Sequence, residues 1–173
     1  MKRLLADTNF YGLLARDFDR LKLVEKIIIS KTIIIYGNKI IRNELRDIPK
    51  KIKFGGKSVR IDILNLYDQI VKEHMLKIDD SMFEIAENYY KSYSEFGGSK
   101  PKESIIDDFR IVACASYHMI DIVVSSDEKS MPTENAVRAY KLVNSIAKKR
   151  TPNFIDFISF KNYLRGGKSN ELV

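Results

Sequence analysis

The amino-acid sequence predicts an α/β fold with three layers, α/β/α, around a central, mainly parallel sheet of four or five strands. Two observations support this prediction. Short apolar runs, such as Leu4–Ala6 and Ile122–Val124, have the length of buried strands. They alternate with longer stretches whose apolar residues recur at helical spacing, which is typical of repeated strand and helix units.

Two strands, each followed by a helix, are predicted in the first part of the chain. Leu4–Ala6 is the first strand, and a helix follows from about Phe10 to Leu23. Thr32–Tyr36 is the second strand. Gly37 and Asn38 then form a turn and the N-cap of the next helix.

The segment Lys50–Arg60 is basic and contains Gly55 and Gly56, which predicts a mobile loop. Two interpretations of its charge stay open at this point. The loop contacts RNA, or it is a solvated loop whose charges serve solubility.

Two helical stripes occupy the middle of the chain. The first runs from Leu64 to Met75 and the second from Met82 to Tyr93, with Ser81 and Glu84 as a capping box for the second helix. At this spacing the tyrosines of the second stripe are expected to be core residues, and base stacking is the less favoured alternative.

The last part of the chain predicts two further strands. Ser104 with Asp107 opens a helix that leads into the strand Ile122–Val124. A helix is expected after Pro132, and Phe154–Phe160 supplies an edge strand and a short closing helix.

Length and composition narrow the class of protein. The 173 residues predict a single domain over residues 1–173, and the net charge of +7 favours polyanionic partners without identifying one. Cys114 is the one cysteine, which excludes an intramolecular disulfide and suits the cytoplasm. No apolar run approaches the ~20 residues that span a bilayer, so we expect a soluble protein without a membrane partner.

Acidic residues stand where the predicted strands end. Asp7 follows the first strand, Asp127 follows the third, and Glu44 lies in the helix after the second. Asp107 and Asp108 are placed in the first turn of the helix that leads into the third strand. Each has an ordinary structural explanation when taken singly, such as capping or surface charge. Together they predict a site, because parallel strands point their carboxyl ends at one edge.

Carboxylates gathered at one edge repel one another, and a hard divalent cation relieves that repulsion. Mg²⁺ or Mn²⁺ is favoured over Zn²⁺ because no histidine or cysteine converges with the acids. His74 and His118 are expected to pack or lie at the surface, and Cys114 to be a buried thiol. Metal-assisted hydrolysis of a phosphodiester is the chemistry that such a site favours.

Four short motifs follow one another along the sequence, and they are Leu5–Asn9, Ile41–Leu45, Asp108–Ala115 and Val124–Asp127. In this order they resemble the motifs of PIN-domain nucleases, particularly VapC-like toxins of toxin–antitoxin pairs. Each motif is weak alone, but together they cover nearly the whole chain. The chain departs from a compact toxin in its extra length at Lys50–Arg60 and at the C-terminus.

The resemblance implies a PIN-like fold, Mg²⁺- or Mn²⁺-dependent endoribonuclease activity on RNA, homodimerisation, and an antitoxin that covers the active site. Matched by position, the catalytic metal ligands are Asp7, Glu44, Asp108 and Asp127. Asp107 is the alternative third ligand, and Asn9 and Ser125 are supporting residues. No residue is assigned to RNA binding.

Other functions remain open on the sequence alone. The protein could be a non-catalytic module that binds RNA or a protein partner, or a nuclease of housekeeping RNA processing. A phosphatase or phosphoacceptor with Asp7 as nucleophile is disfavoured, because Asn9 stands where such an enzyme would place its second aspartate.

Overall fold

The computed structural model describes residues 1–126 and 131–167. Within these ranges the strands are β1 (Lys2–Ala6), β2 (Ile33–Asn38), β3 (Lys53–Phe54), β4 (Lys57–Ser58), β5 (Met75–Leu76), β6 (Ile122–Val124) and β7 (Asn153–Ile155). The helices are α1 (Thr8–Arg16), α2 (Arg20–Ile29), α3 (Lys39–Asp47), α4 (Val59–Val71), α5 (Asp80–Glu95), α6 (Lys102–Tyr117), α7 (Glu134–Ile146) and α8 (Phe157–Leu164).

A parallel sheet of five strands forms the centre of the fold, in the order β5-β2-β1-β6-β7. The central strand β1 pairs with β2 through Leu4 and Ile35, and with β6 through Ala6 and Val124. The apolar side chains of β1 and β6 are fully buried, as expected for strands covered on both faces. The predicted parallel sheet is confirmed.

Helices cover both faces of this sheet, since right-handed crossovers place the helices of each half on opposite sides. On one face α1 contacts α2, α3 and α4, and α8 contacts α2. On the other face α5 contacts α6 and α7. The predicted three-layer α/β/α architecture is therefore confirmed, whereas a single domain over residues 1–173 stays a prediction.

The tyrosines of α5 belong to the core, as predicted. Tyr89 is completely buried, and its ring lies 4.8 Å from that of Tyr140 and 6.3 Å from that of Phe109. The Tyr89 hydroxyl donates to Asn144 Oδ1 at 2.6 Å. This polar contact ties α5 to α7 behind the sheet.

The single helix predicted from Phe10 to Leu23 is wrong, because the chain breaks it into α1 and α2. Asp17 Oδ1 accepts a hydrogen bond from Asp19 N at 2.8 Å, a local turn that competes with the helical ladder. Lys161 also pairs with Asp17 at 2.5 Å. The apolar spacing continues across this break, so periodicity alone did not reveal it.

The mobile loop predicted at Lys50–Arg60 is instead a small antiparallel hairpin formed by β3 and β4. Gly55 and Gly56 both have positive φ, at 55° and 79°. Two such residues form the turn that matches the twist of a two-residue hairpin. The glycine pair therefore marks a tight turn.

Three boundary predictions also fail for local reasons. Asp79 caps α5 by accepting from Ser81 N at 2.9 Å, so Ser81 lies inside the helix and the predicted capping box is wrong. Met75 belongs to β5, because α4 ends at Val71 and its C-cap Lys72 has a φ of 50°. Gly37 lies within β2 and forms no turn, whereas Asn38 caps α3 as predicted.

Asp107 and Asp108 lie in the second turn of α6, one turn later than predicted. The helix begins at Lys102, directly after Pro101, whose carbonyl accepts a hydrogen bond from Ser104 Oγ at 2.7 Å. Proline is well suited to a helix start for two reasons. Its ring fixes φ near the helical value, and the N–H group that it lacks would have no partner within the helix there. Ser104 is therefore inside the first turn.

Among the described helices, none combines the length and the apolar character that crossing a bilayer requires.

Gly37 packs against α4 so closely that a side chain cannot be added there. A Cβ atom at this position would lie 2.1 Å from Tyr67 Oη and 2.9 Å from Val71 Cγ1. We expect Gly37→Ala to lower the free energy of unfolding by about 1–3 kcal/mol through overpacking. The matched control is Gly12→Ala in α1, where nothing lies within 4 Å. It should raise the free energy by ~0.5–1 kcal/mol in the same urea titration.

Candidate active site

The candidate site lies at the carboxyl ends of β1 and β6, the neighbouring strands at the centre of the sheet. The chain runs outward from β1 to β2 and β5, and then returns to β6 on the other side. The crevice at such a reversal is where open α/β sheets bind ligands. Asp7 follows β1 directly, and Ser125 and Ser126 follow β6.

Asp7 is 3% exposed and is held on both carboxylate oxygens. Its Oδ1 accepts from Phe10 N at 2.9 Å as the N-cap of α1, and its Oδ2 accepts from Ser125 Oγ at 2.6 Å. These two donors fix the orientation of the carboxylate. Ser125 thus contacts the predicted ligand Asp7 directly, and its supporting role at a metal site stays a prediction.

Glu44 reaches the same edge from the second turn of α3. Its Oε2 accepts a short hydrogen bond from Thr8 Oγ1, so the first turn of α1 orients it. Burial raises the pKa of the Glu44 carboxyl, and the Thr8 hydrogen bond acts in the opposite direction. The negative charges of Asp107, Asp108 and Asp7 raise this pKa further. These three acids therefore lie within electrostatic reach of Glu44.

Asp107 and Asp108 differ in their surroundings. Asp107 is exposed and pairs with Arg110 at 2.8 Å, yet its charge raises the pKa of Glu44 more than the charge of Asp108 does. Asp108 is half-buried. Burial is the main cause that raises the pKa of the Tyr140 hydroxyl, and the charge of Asp108 is the second cause. The choice between the two as the third ligand stays a prediction in favour of Asp108.

Two further residues of the predicted site complete its description. Asn9 is exposed on α1 and lines a groove that opens beside Asp7, together with Thr8 and Ser126. Asp127 lies outside the described residues, so its predicted role as a ligand stays a prediction.

The donor chemistry of the site suits a hard divalent cation. The described side chains that converge here carry oxygen donors, which Mg²⁺ and Mn²⁺ prefer, and their mutual repulsion would fall on binding a cation. Within residues 1–126 and 131–167, however, no group of three or more His, Cys, Asp or Glu side chains is gathered closely enough to hold a metal ion. Neither a Mg²⁺ nor a Mn²⁺ site is thus demonstrated, and the ligand set stays a prediction.

Thr8 and two tyrosines of the site were given no role by sequence reasoning. Thr8 stands inside the Leu5–Asn9 motif, next to Asp7, and that position was the available signal. Tyr11 and Tyr140 are completely buried, and neither hydroxyl has a hydrogen-bond partner among the described residues. The charge of Asp7 contributes, after burial and Tyr67, to raising the pKa of Tyr11. No sequence pattern distinguishes these tyrosines from ordinary core residues.

The histidines and the cysteine lie apart from this chemistry, as predicted. The His74 ring packs 5.4 Å from that of Tyr36, and His118 Nε2 lies 2.8 Å from the Lys77 carbonyl oxygen. Cys114 is buried in α6, and burial raises the pKa of its thiol to about 11. A thiol with so high a pKa is a poor nucleophile at neutral pH.

Solved structures share this fold. The chain aligns with one from the structure of FitAB bound to an IR36 DNA fragment, with a TM-score of 0.57 and 16% identity over 89% of this chain and 94% of that one. It also aligns with a chain from VapBC2 of Rickettsia felis bound to a promoter DNA fragment. There the TM-score is 0.51 and the identity 12%, over 89% of this chain and 98% of that one.

These similarities confirm, at the level of the fold, the resemblance to VapC-like PIN proteins that the motifs predicted. No protein-family model matches the sequence, and no curated protein matches it either.

The raised pKa of Glu44 predicts how stability depends on pH without metal. The folded state binds the Glu44 proton more tightly than the unfolded chain, whose pKa is near 4.5. The Glu44 contribution to the free energy of unfolding should therefore fall as pH rises from about 4.5 to the raised pKa.

Urea titrations in EDTA at pH 4.5 and 7.5 measure this change. Glu44→Gln should remove the part of the stability loss between the two pH values that Glu44 causes. Glu84→Gln, an exposed change on α5, should keep the wild-type profile, and a wild-type profile in Glu44→Gln would contradict the assignment.

Proposed function

We propose that the protein is a metal-dependent endoribonuclease that hydrolyses RNA phosphodiester bonds. The observation that carries the proposal is that Asp7, directly after β1, and Asp107 and Asp108 of α6 lie near enough to Glu44 for their charges to raise its pKa. They do so at the edge where a sheet of this topology binds ligands. The net charge of +7 favours a polyanionic substrate.

Asp7, Glu44 and Asp108 would hold Mg²⁺ or Mn²⁺, with Asp127 as a fourth candidate and Asp107 as the alternative to Asp108. When bound, the ion supplies an activated water and neutralises charge on the phosphate. The chain itself orients the ligands. Phe10 N and Ser125 fix Asp7, and Thr8 fixes Glu44. Asn9 would support the site from the first turn of α1.

The biological role that we propose is that of the toxin in a toxin–antitoxin pair, acting in the cytoplasm as a homodimer. The two solved neighbours are components of such pairs, and this supports an antitoxin as the protein partner. We infer that the hairpin within Lys50–Arg60 is part of the extra length by which the sequence departs from a compact toxin. A nuclease of housekeeping RNA processing is the alternative, favoured if no antitoxin accompanies the protein.

A non-catalytic binding module is the second candidate function. The observation in its favour is that the described acids do not gather into a three-ligand group. Such a module would bind RNA without hydrolysing it and would not bind Mn²⁺ at the carboxylates. Calorimetry with Mn²⁺, compared between the wild type and Asp7→Asn, separates the two functions.

Asp7→Asn tests the enzyme directly. Purified protein with Mn²⁺ should cleave a structured RNA, and the substitution should lower the rate at least about 100-fold, since it removes a ligand charge from the metal. EDTA should abolish wild-type cleavage. Asp80→Asn, at the exposed start of α5, is the matched control and should cleave like the wild type. Equal cleavage by Asp7→Asn and the wild type would reject the proposal.

Single substitutions decide between the two candidate third ligands. Asp108→Asn should abolish Mn²⁺-dependent cleavage, whereas Asp107→Asn should retain it, since its ion pair with Arg110 is exposed and worth at most about 1 kcal/mol. Initial rates over a Mn²⁺ titration provide the measurement. The opposite order of effects would assign the role to Asp107.

A further inference from the structure

The β3–β4 hairpin and its flanks form the most basic segment near the candidate site. Its cationic residues are Arg46, Lys50, Lys51, Lys53, Lys57 and Arg60, and Asp47 is the acid among them. Lys50, Lys51 and Lys53 are exposed. These three lysines are named below as the hairpin lysines.

The hairpin lysines have no acidic partners in the part of the chain that the structure describes, where no carboxylate lies within ion-pair distance of them. Neighbouring cations behave differently. Arg20 pairs with Asp62 at 2.6 Å and Arg42 with Asp68 at 3.1 Å. The arginines therefore join helices, whereas the charge of the hairpin lysines is available to a ligand.

A groove of about 630 Å³ connects the hairpin with the candidate active site. Thr8, Asn9 and Ser126 line it at the carboxylate end, and Ile52 and Val59 line it at the base of the hairpin. Arg16 of α1 also lines it and is exposed. A polymer that enters the site along this groove thus passes beside the hairpin.

The chemistry of this surface suits a single strand of RNA. Single-stranded nucleic acid binds where cations track the backbone and apolar side chains contact the bases. The hairpin lysines and Arg16 supply the cations, while Ile52 and Val59 supply the apolar surface. A carboxylate site alone repels the phosphates of its substrate, so a separate cationic surface is needed to hold the strand.

We infer that the hairpin lysines, with Arg16, bind the phosphates of single-stranded RNA beside the scissile bond and thereby select the bond that is cut. This inference rests on the proposed ribonuclease function. It identifies the hairpin as a substrate-positioning element that touches no reacting atom.

Binding is measured first, without turnover. Fluorescence anisotropy with a short, mixed-sequence, fluorescein-labelled single-stranded RNA compares Asp7→Asn with the same chain carrying Lys50→Ala, Lys51→Ala and Lys53→Ala. Loss of three phosphate contacts should reduce the slope of log K against log salt by about 2. Between 50 and 200 mM salt, the factor by which the RNA affinity falls should therefore be about 20-fold smaller for the triple variant than for Asp7→Asn alone.

The matched control removes three exposed lysines from the helices α2, α5 and α7, namely Lys22, Lys91 and Lys141. It has the same net charge as the triple variant, so a general loss of attraction would affect both alike. In the control, the slope of log K against log salt should differ from that of Asp7→Asn by no more than about one-third of the change predicted for the triple variant. Equal slopes in the triple variant and the control would overturn the inference.

Cleavage supplies the second readout. With Mn²⁺, the triple variant should show a higher KM, an unchanged kcat and a different distribution of product ends on a defined RNA. Wild-type KM and product ends in the triple variant would overturn the inference while leaving the ribonuclease intact. Absence of any cleavage by the wild type would reject the proposed function instead, and the binding experiment would still decide whether the hairpin holds RNA.

A protein partner is the competing occupant of this surface. Poly-glutamate at matched charge concentration should displace the RNA far less effectively than unlabelled RNA of the same sequence. Equal displacement by the two polymers would overturn the inference and indicate a surface for an acidic protein.

Discussion

Repulsion among carboxylates is the constraint around which this end of the sheet is organised. Like charges in a partly buried crevice disfavour ionisation, and the raised pKa of Glu44 records that cost. The fold offsets part of it locally. Asp7 receives two donors, from Phe10 N and Ser125, and Glu44 receives one from Thr8. The remaining repulsion is what the proposed metal ion would relieve.

Much of the fold follows from rules that act over short distances. The strand Ile122–Val124 and the Asn38 cap were predicted because strand length and capping are local properties of the sequence. The break after α1 was missed, because it depends on the Asp17 turn and on Lys161 from a distant helix. Periodicity does not report contacts of that kind.

The composition of the site was predictable in part, because parallel strands end at a common edge and their carboxyl ends were acidic. That rule placed Asp7 and Glu44 in one neighbourhood. It did not supply Thr8, whose role depends on the orientation of α1 relative to α3. It also did not reveal the hairpin, since a glycine pair between lysines is equally typical of an irregular loop.

The bond between Asp7 and Ser125 joins residues 118 positions apart. A polypeptide folds during synthesis from its N-terminal end, and contacts of large sequence separation form late. Asp7 therefore leaves the ribosome long before its partner exists. A truncated translation product that ends before β6 lacks the Asp7–Ser125 contact altogether. Under the proposed function, topology would delay the assembly of a nuclease beside the translation machinery until the polypeptide is nearly complete.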